Sequence, residues 1–355
     1  MGSLHAGRSA TILAALFAVE IAISGSLRGA TPDEPAGPPT PPETISAASE
    51  KARDSAAATA ESPDAKPRYR LVYRFQPGQV LRYEVRHRSS MEVRKGEAPR
   101  NGAPRGELRP VVQTVRDQTI TEKHVRVVSV AEDGSALLEP VIDRVRMEVR
   151  FDDADPIVFD SDDPGAAPRQ FQDVHRTVGK ITAHMRVAPH GALLDVIRLD
   201  AEGKPREEDE GEPAVRADEN ILALLPEAPV EVGDVWKERY PVQVKVDRNI
   251  ERTATLQREF QLLKMEGSVA TIGVRIAIIT PIADPAILAQ LIQRTPAGTV
   301  RFDIERGEIV SRALEHDETI FGAIGPTSAL RATSKLVERQ LSPEQTARAA
   351  DPPRS

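Results

Sequence analysis

Leu224-Leu-Pro-Glu-Ala-Pro-Val-Glu-Val-Gly-Asp-Val-Trp236 is the stretch around which this chain is organised, and it holds the only Trp. Pro226 and Pro229 fix their own φ and push Leu225 and Ala228 toward extended backbone. Upstream, Ile221, Leu222, Leu224 and Leu225 recur at helical spacing and stop at Pro226, which predicts a short helix over 217–225. Downstream, Gly233-Asp234 reads as a tight turn. Val235, Lys237 and Arg239 then alternate with Trp236, Glu238 and Tyr240, the start of a strand. Trp236 is large and its N–H needs an acceptor, which suits the end of a core near a polar rim. The stretch therefore closes one run of strands and opens another.

On its N-terminal side the pattern is one of strands. Tyr69, Leu71, Tyr73 and Phe75 alternate with Arg70, Val72 and Arg74, Gln76-Pro-Gly78 turns, and Val80 to His87 alternates again, a predicted hairpin. Val111 to Val130 is a long alternating run, joined by Asp133-Gly134 to a second run over 136–149. An acidic loop over 152–167 precedes strands at 178–187 and 192–199, with Pro189-His-Gly191 between them. Past Trp236 the order recurs: a strand, a long hairpin about Gly267, a short helix over 284–293, a hairpin about Gly307, and a last strand over 328–341. The fold class expected is mainly β, a long curved antiparallel sheet or partly closed barrel from a duplicated β-meander, with one or two short helices. The pseudo-repeat halves are 68–226 and 227–341. The competing reading is that any antiparallel protein looks periodic.

The flanks read differently. Residues 1–30 combine His5 and Arg8, an apolar run over 10–23 and small residues after it, the pattern of a signal peptide or N-terminal anchor. Glu20 interrupts the run, which is also short for a bilayer span of about 20 residues. Residues 31–67 are rich in Pro, Ala and charge and have too few large apolar groups to offset their ordering entropy, so a disordered linker is expected. Residues 342–355 form a polar tail.

Composition limits the chemistry. Aromatic residues are 4% of the 355, so the core must come from Val, Ile, Leu and Ala. The net charge of −7 argues against general nucleic-acid binding, which needs a basic surface to release phosphate counterions. There is no Cys, which excludes disulfides, zinc-thiolate sites and a Cys nucleophile.

The motifs Val230-Glu-Val-Gly-Asp-Val-Trp236 and Phe302-Asp-Ile-Glu-Arg-Gly-Glu-Ile309, with Tyr73-Arg-Phe-Gln-Pro-Gly-Gln-Val-Leu-Arg-Tyr83, resemble a family of exported bacterial β-rich proteins of planctomycete type. The resemblance spans about 68–341 and implies an exported β-rich domain; it brings no active site. A more distant likeness is to the lipoprotein-carrier fold, a curved sheet that holds an acyl chain. That likeness is at the level of fold and says little about function.

Candidate sites are few. His175, His184 and His190 fall in one hairpin region, but Pro189 and Gly191 break the strand that would align His184 with His190. In the acidic loop, Asp160 and Asp162 stand among carboxylates that a hard cation would favour, without the order of an EF-hand. These four are the metal candidates, set against a solvated surface. His316 lies in Glu315-His-Asp-Glu318, where neighbouring strand residues point to opposite faces. No Gly-x-Ser-x-Gly, His-Glu-x-x-His or phosphate-cradling loop is present.

The expectation is a non-catalytic protein of the periplasm or cell envelope, without cofactor. It would bind a lipid or other apolar or acyl molecule on the concave face, or serve as a scaffold for envelope proteins. Any membrane contact would run through the N-terminal segment. Trp236, Tyr83 and Tyr240 are the ligand-contact candidates. The alternative is a hydrolase with a loop-assembled site. If the N-terminal segment is a cleaved signal, sequencing the protein from its native host finds a start between about Gly25 and Pro32; intact Met1 in a soluble cytosolic fraction contradicts export.

Overall fold

A computed structural model of the chain describes residues 66–96, 111–163, 165, 167–200, 202–205, 221–247 and 250–342. The segments 1–30 and 31–67, apart from residues 66 and 67, lie outside the described residues, as does the tail after Ser342.

The strands are β1 (Val80–Lys95), β2 (Val111–Val130), β3 (Ala136–Phe151), β4 (Ile157–Asp160), β5 (Ala183–Val187), β6 (Leu193–Arg198), β7 (Val235–Asp247), β8 (Ile250–Glu266), β9 (Val269–Ile278), β10 (Ala297–Asp303), β11 (Glu308–Phe321) and β12 (Ser328–Gln340). They form one antiparallel sheet in the order β6-β5-β3-β2-β1-β12-β11-β10-β9-β8-β7, with β4 added to β3. Among the described residues no pairing joins β6 to β7, so the sheet stays open and the barrel alternative is set aside. Both meanders run the same way across the sheet, and the first strand pairs the last: Val85 opposes Glu338 and Ser89 opposes Ser334.

Two short helices interrupt the strands. α2 (Pro285–Leu291) follows the sequence expectation: the Asp284 side chain caps it by accepting from the Ala286 amide at 2.8 Å, and Pro285 opens its first turn. α1 (Gln172–Thr177) was not anticipated and buries Val174 beside Phe171 and Phe159. β4 likewise lies inside what reads in sequence as a loop.

Two expectations need correction. Tyr69 to Phe75 is not a sheet strand paired with β1. It is an extended strap carrying one isolated bridge, Tyr69 to Val230. Its amides bond outward to three separate places: Tyr69 to Val230 at 2.8 Å, Tyr73 to Pro189 at 2.9 Å and Arg74 to Gly307 at 3.3 Å. The alternation itself holds, since Leu71 and Tyr73 are buried and Arg70 and Arg74 exposed. Second, 221–225 is not helical; the rest of that predicted helix lies outside the described residues. Its backbone groups are taken by distant partners instead. Leu225 N–H donates to His190 O, the Arg312 guanidinium to Ile221 O and the Trp236 indole to Leu224 O. Pro226 reinforces this by disfavouring helical backbone at Leu225.

The two straps are fastened by one hydroxyl. Tyr73 Oη donates to Ala223 O at 2.9 Å and accepts from Ala223 N at 3.0 Å, fully buried. One core cluster joins Leu71, Tyr73, Ala223 and Leu225 to Phe260, Leu262, Ile272 and Phe302 from β8, β9 and β10. A second cluster comes from the other wing, with Val125, Val127, Leu138, Met185 and Val187. Phe75 and Leu222 pack against both. The face of the sheet that carries the straps is called the inner face below. Each fully buried Leu or Phe in these clusters contributes about 1.5–3 kcal/mol.

Close approach of the first strap requires glycine in the β10–β11 turn. Gly307 has φ +66°, and a Cβ there would lie 2.4 Å from Arg74 N. Gly267, in the β8–β9 turn, has φ +60° with nothing within 4 Å of its Cβ position. Both glycine-to-alanine changes strain the backbone, but only Gly307→Ala displaces the strap. In denaturant unfolding Gly307→Ala should therefore exceed Gly267→Ala in cost by about 1–3 kcal/mol. Equal costs would show that the strap does not depend on this approach.

Candidate functional site

The cleft on the inner face is built where the straps leave part of the sheet uncovered. Its walls are apolar: Leu81, Val125, Leu138 and Ile309 from β1, β2, β3 and β11, with Phe75, Ile221 and Leu222 from the straps. Tyr83, Lys123 and Glu338 add polar groups to the lining. It measures about 360 Å³ counted out to open solvent, with enclosed room for about one water. A larger occupant must displace the Ile221–Leu222 strap, whose residues are half-buried and outside regular structure.

Together with Arg312 on β11, these polar groups come from four neighbouring strands in register. Tyr83 opposes Lys123 on β2 and Gln340 on β12, and Glu338 opposes Val85 on one side and Arg312 on the other. Glu338 is buried, with Lys123 Nζ at 3.4 Å and Arg312 at 3.9 Å. Burial alone would raise its pKa, but Lys123 and Arg312 outweigh that and hold it below the ordinary 4.5. Lys123 Nζ also lies 5.9 Å from the centre of the Tyr83 ring. Burial is the largest influence on the Tyr83 hydroxyl, and with Glu338 it pushes the hydroxyl well above the usual tyrosine range, so it stays protonated. Next to this group, Glu308 accepts from Gln79, Gln340 and Arg306.

Of the aromatic candidates, Tyr83 alone lines the cleft. Trp236 is half-buried, stacks on Phe260 at 5.7 Å between centroids and donates its N–H to Leu224 O at 2.8 Å. It sits against the back of the second strap. Tyr240 is buried in a separate cluster with Val242, Leu256 and Leu291, under the Arg258 guanidinium at 5.1 Å.

The metal candidates are not brought together. His184 Nε2 lies 3.1 Å from Glu139, while His190 sits in the β5–β6 turn, where its carbonyl serves Leu225. Asp160 is paired with Arg146 at 3.2 Å and Arg144 at 3.6 Å, and Asp162 with Arg144 at 2.9 Å. Burial would raise the Asp160 pKa, but the Asp162 amide and these arginines bring it below its usual value. These two carboxylates of the acidic loop face arginines. Among the described residues no three His, Cys, Asp or Glu side chains are grouped to hold a metal ion.

One constellation was missed in the sequence. Ser89 Oγ donates to Asp117 Oδ1, and His87 Nδ1 stands 3.6 Å from Asp117 Oδ2. His87 and Ser89 share a face at i, i+2 spacing, which is legible, but Asp117 joins them only through the β1–β2 register. Here the carboxylate lies between Ser and His, whereas an acyl-transfer triad needs the imidazole between hydroxyl and carboxylate.

No family model matches the chain, nor does any curated protein. A solved structure titled for lipid–protein interactions in lipovitellin is similar over 76% of this chain and 26% of that one, at 10% identity and a TM-score of 0.36. This chain spans about a quarter of the length of that one, and at such a score the likeness carries no argument. Among the described residues no helix is long and apolar enough to cross a membrane.

The depressed pKa of Glu338 has a pH signature. A carboxyl whose folded pKa lies below its unfolded value stabilises the fold above the unfolded pKa, and that contribution is lost as pH falls through the folded one. Wild-type stability should thus fall with acid below pH 4.5, the ordinary value. Glu338→Gln should flatten that part of the curve while costing about 1–3 kcal/mol at neutral pH. Parallel pH–stability curves for the two would contradict the pairing.

Proposed function

We propose that this chain is a non-catalytic, exported cell-envelope protein that binds an apolar or acyl molecule on the inner face of its sheet, under the strap at Ile221 and Leu222. The observation that carries the reading is the composition of the cleft. Seven of its lining side chains, Phe75, Leu81, Val125, Leu138, Ile221, Leu222 and Ile309, are hydrocarbon, and its two charged ones, Lys123 and Glu338, are already paired with each other. Such walls gain by covering apolar surface and offer few directed hydrogen bonds, the usual make-up of a site for an apolar ligand. The part a ligand would have to displace is the pair Ile221 and Leu222, half-buried and outside regular structure, next to the anchored Ala223 and Leu225. Export is supported by the N-terminal sequence pattern and by the motif resemblance to planctomycete-type exported proteins.

Trp236 is a built-in reporter, since its indole is bonded to the strap carbonyl of Leu224. Titrating the protein with hexadecanol below its solubility limit should give a saturable change in Trp236 emission. Leu222→Asp places a charge in the apolar wall and should weaken the apparent affinity about tenfold or more, the equivalent of ~1.4 kcal/mol. An emission unchanged by hexadecanol, or equal affinity in Leu222→Asp, would overturn the reading.

A further inference from the structure

Beyond the cleft, the inner face of the four central strands changes character. The pairs Asp117–Ser89, Ser89–Ser334 and Ser334–His316 are direct cross-strand partners, so these four side chains form one row across β2, β1, β12 and β11. The next row toward the cleft is Thr119, His87, Leu336 and Leu314, and the row after it is Thr121, Val85, Glu338 and Arg312. Tyr83 to Ser89 is six residues along β1, about 20 Å. Between those two ends lie the half-buried hydrocarbon side chains of Val85, Leu336 and Leu314. The inner face thus runs from an apolar cleft, past Val85, Leu336 and Leu314 set among Thr119, His87, Thr121, Glu338 and Arg312, to a polar row.

That row carries unfinished hydrogen bonding. Asp117 and His316 are each 8% exposed, and Asp117 Oδ2 and His316 Nε2 have no hydrogen-bond partner, the Glu318 carboxylate standing 3.9 Å from His316 Nε2. They are two of the three such buried side-chain atoms among the described residues. Asp117 Oδ1 is satisfied by Ser89, while His87 Nδ1, at 3.6 Å from Oδ2, stands beyond hydrogen-bond range. An unpartnered buried carboxylate oxygen is costly, and the chemistry that relieves it is a donor, best a positively charged one. A metal ion fits poorly, because two side chains are too few for a protein-held site and no third His, Cys, Asp or Glu joins them among the described residues. An anion would meet a carboxylate.

We infer that Asp117, flanked by His87 and Ser89, receives the protonated amine head of a long-chain amphiphile whose hydrocarbon tail lies along Val85, Leu336 and Leu314 toward the cleft. This rests on the reading of the inner face as an apolar-ligand site and gives that ligand a head group. Asp117 would accept from the ammonium through Oδ2, while Ser89 keeps Oδ1 in place. The ligand would then be a cationic amphiphile, and fatty acids of the same chain length would bind less tightly.

The test compares hexadecylamine, hexadecanol and hexadecanoic acid, each below its aggregation limit, on the full chain by calorimetry. Wild type should bind the amine at least tenfold more tightly than the acid. Asp117→Asn keeps the shape of the side chain and removes its charge; it should lower amine affinity about tenfold and leave hexadecanol affinity unchanged. Asp317→Asn, which removes an outer-face carboxylate paired with Arg331, should change neither and so measures non-specific attraction of the amine to an acidic protein. If Asp117→Asn fails to fold, Ser89→Ala, which frees the carboxylate to turn, should still reduce the preference for amine over acid. Equal binding of all three amphiphiles would overturn the inference and leave the apolar site standing. The same holds if the amine preference persists in Asp117→Asn, or falls as much in Asp317→Asn. Absence of binding by hexadecanol and by both charged amphiphiles would remove the apolar site and the inference together.

Discussion

The fold depends on one buried hydroxyl. Tyr73 Oη both donates to and accepts from the backbone of Ala223, 150 positions away in sequence. No strand pairing links these segments directly, yet together they fill the space between the two wings of the sheet. Without them the inner faces of β2, β3 and β5 on one side, and β8, β9 and β10 on the other, would expose hydrocarbon to water. An antiparallel sheet can leave one face solvated, but the other needs a cover. In this protein part of that cover comes from extended chain in place of a second sheet or a long helix. Burial raises the Tyr73 hydroxyl far above the usual tyrosine range, so it remains a donor at any pH the fold survives.

A cover made of extended chain has consequences for function. A helix satisfies its own backbone, so it can lift from a sheet as a unit. A strap borrows partners from what it covers: His190 O, Arg312 and Trp236 for the second, Pro189 O and Gly307 O for the first. Moving it exposes those partners, which keeps it closed until something else covers the apolar wall. The cleft under Ile221 and Leu222 is the place where covering is thinnest. Its floor is not inert hydrocarbon, since Glu338 holds Lys123 and Arg312 toward it in a compensated group. Further along the same face, Asp117 Oδ2 and His316 Nε2 lack hydrogen-bond partners, their nearest opposite groups being His87 at 3.6 Å and Glu318 at 3.9 Å. The outer face of the central strands has no such imbalance at its ion pairs, with Arg86 on Glu84, Arg331 on Asp317 and Lys335 on Glu315 at the surface.

Much of this was legible in the sequence, for identifiable reasons. β2 was read at its true bounds because its central part alternates, burying Asp117, Thr119, Thr121, Val125 and Val127 on one face. α2 was read because Asp284 and Pro285 announce its start. The two straps were misread by the same signals. Alternation from Tyr69 to Phe75 reports that every second side chain is buried, which is equally true of a lone extended chain and of a sheet strand. Helical spacing at 221–225 reports where apolar groups fall, but distant donors and acceptors decided the backbone. α1 has only six residues and no side-chain cap at its start, so nothing local marks it. The site was harder. Tyr83 was named as an aromatic, but Lys123, Glu338 and Asp117 acquire meaning only from register, which pairs residues tens to hundreds of positions apart and is written in no single segment.

The claim on which the account stands is that a ligand enters beneath the second strap. Hydrogen–deuterium exchange with and without saturating hexadecanol reports on that strap directly, through the amides of Ala223 and Leu225, which are bonded to Tyr73 Oη and His190 O. The account predicts that the change in exchange on binding concentrates at 221–225 and on the facing amides of β1 and β2, with β7 and β8 at the far edge unaffected. A change confined to β7 and β8, or none anywhere at saturation, would contradict it.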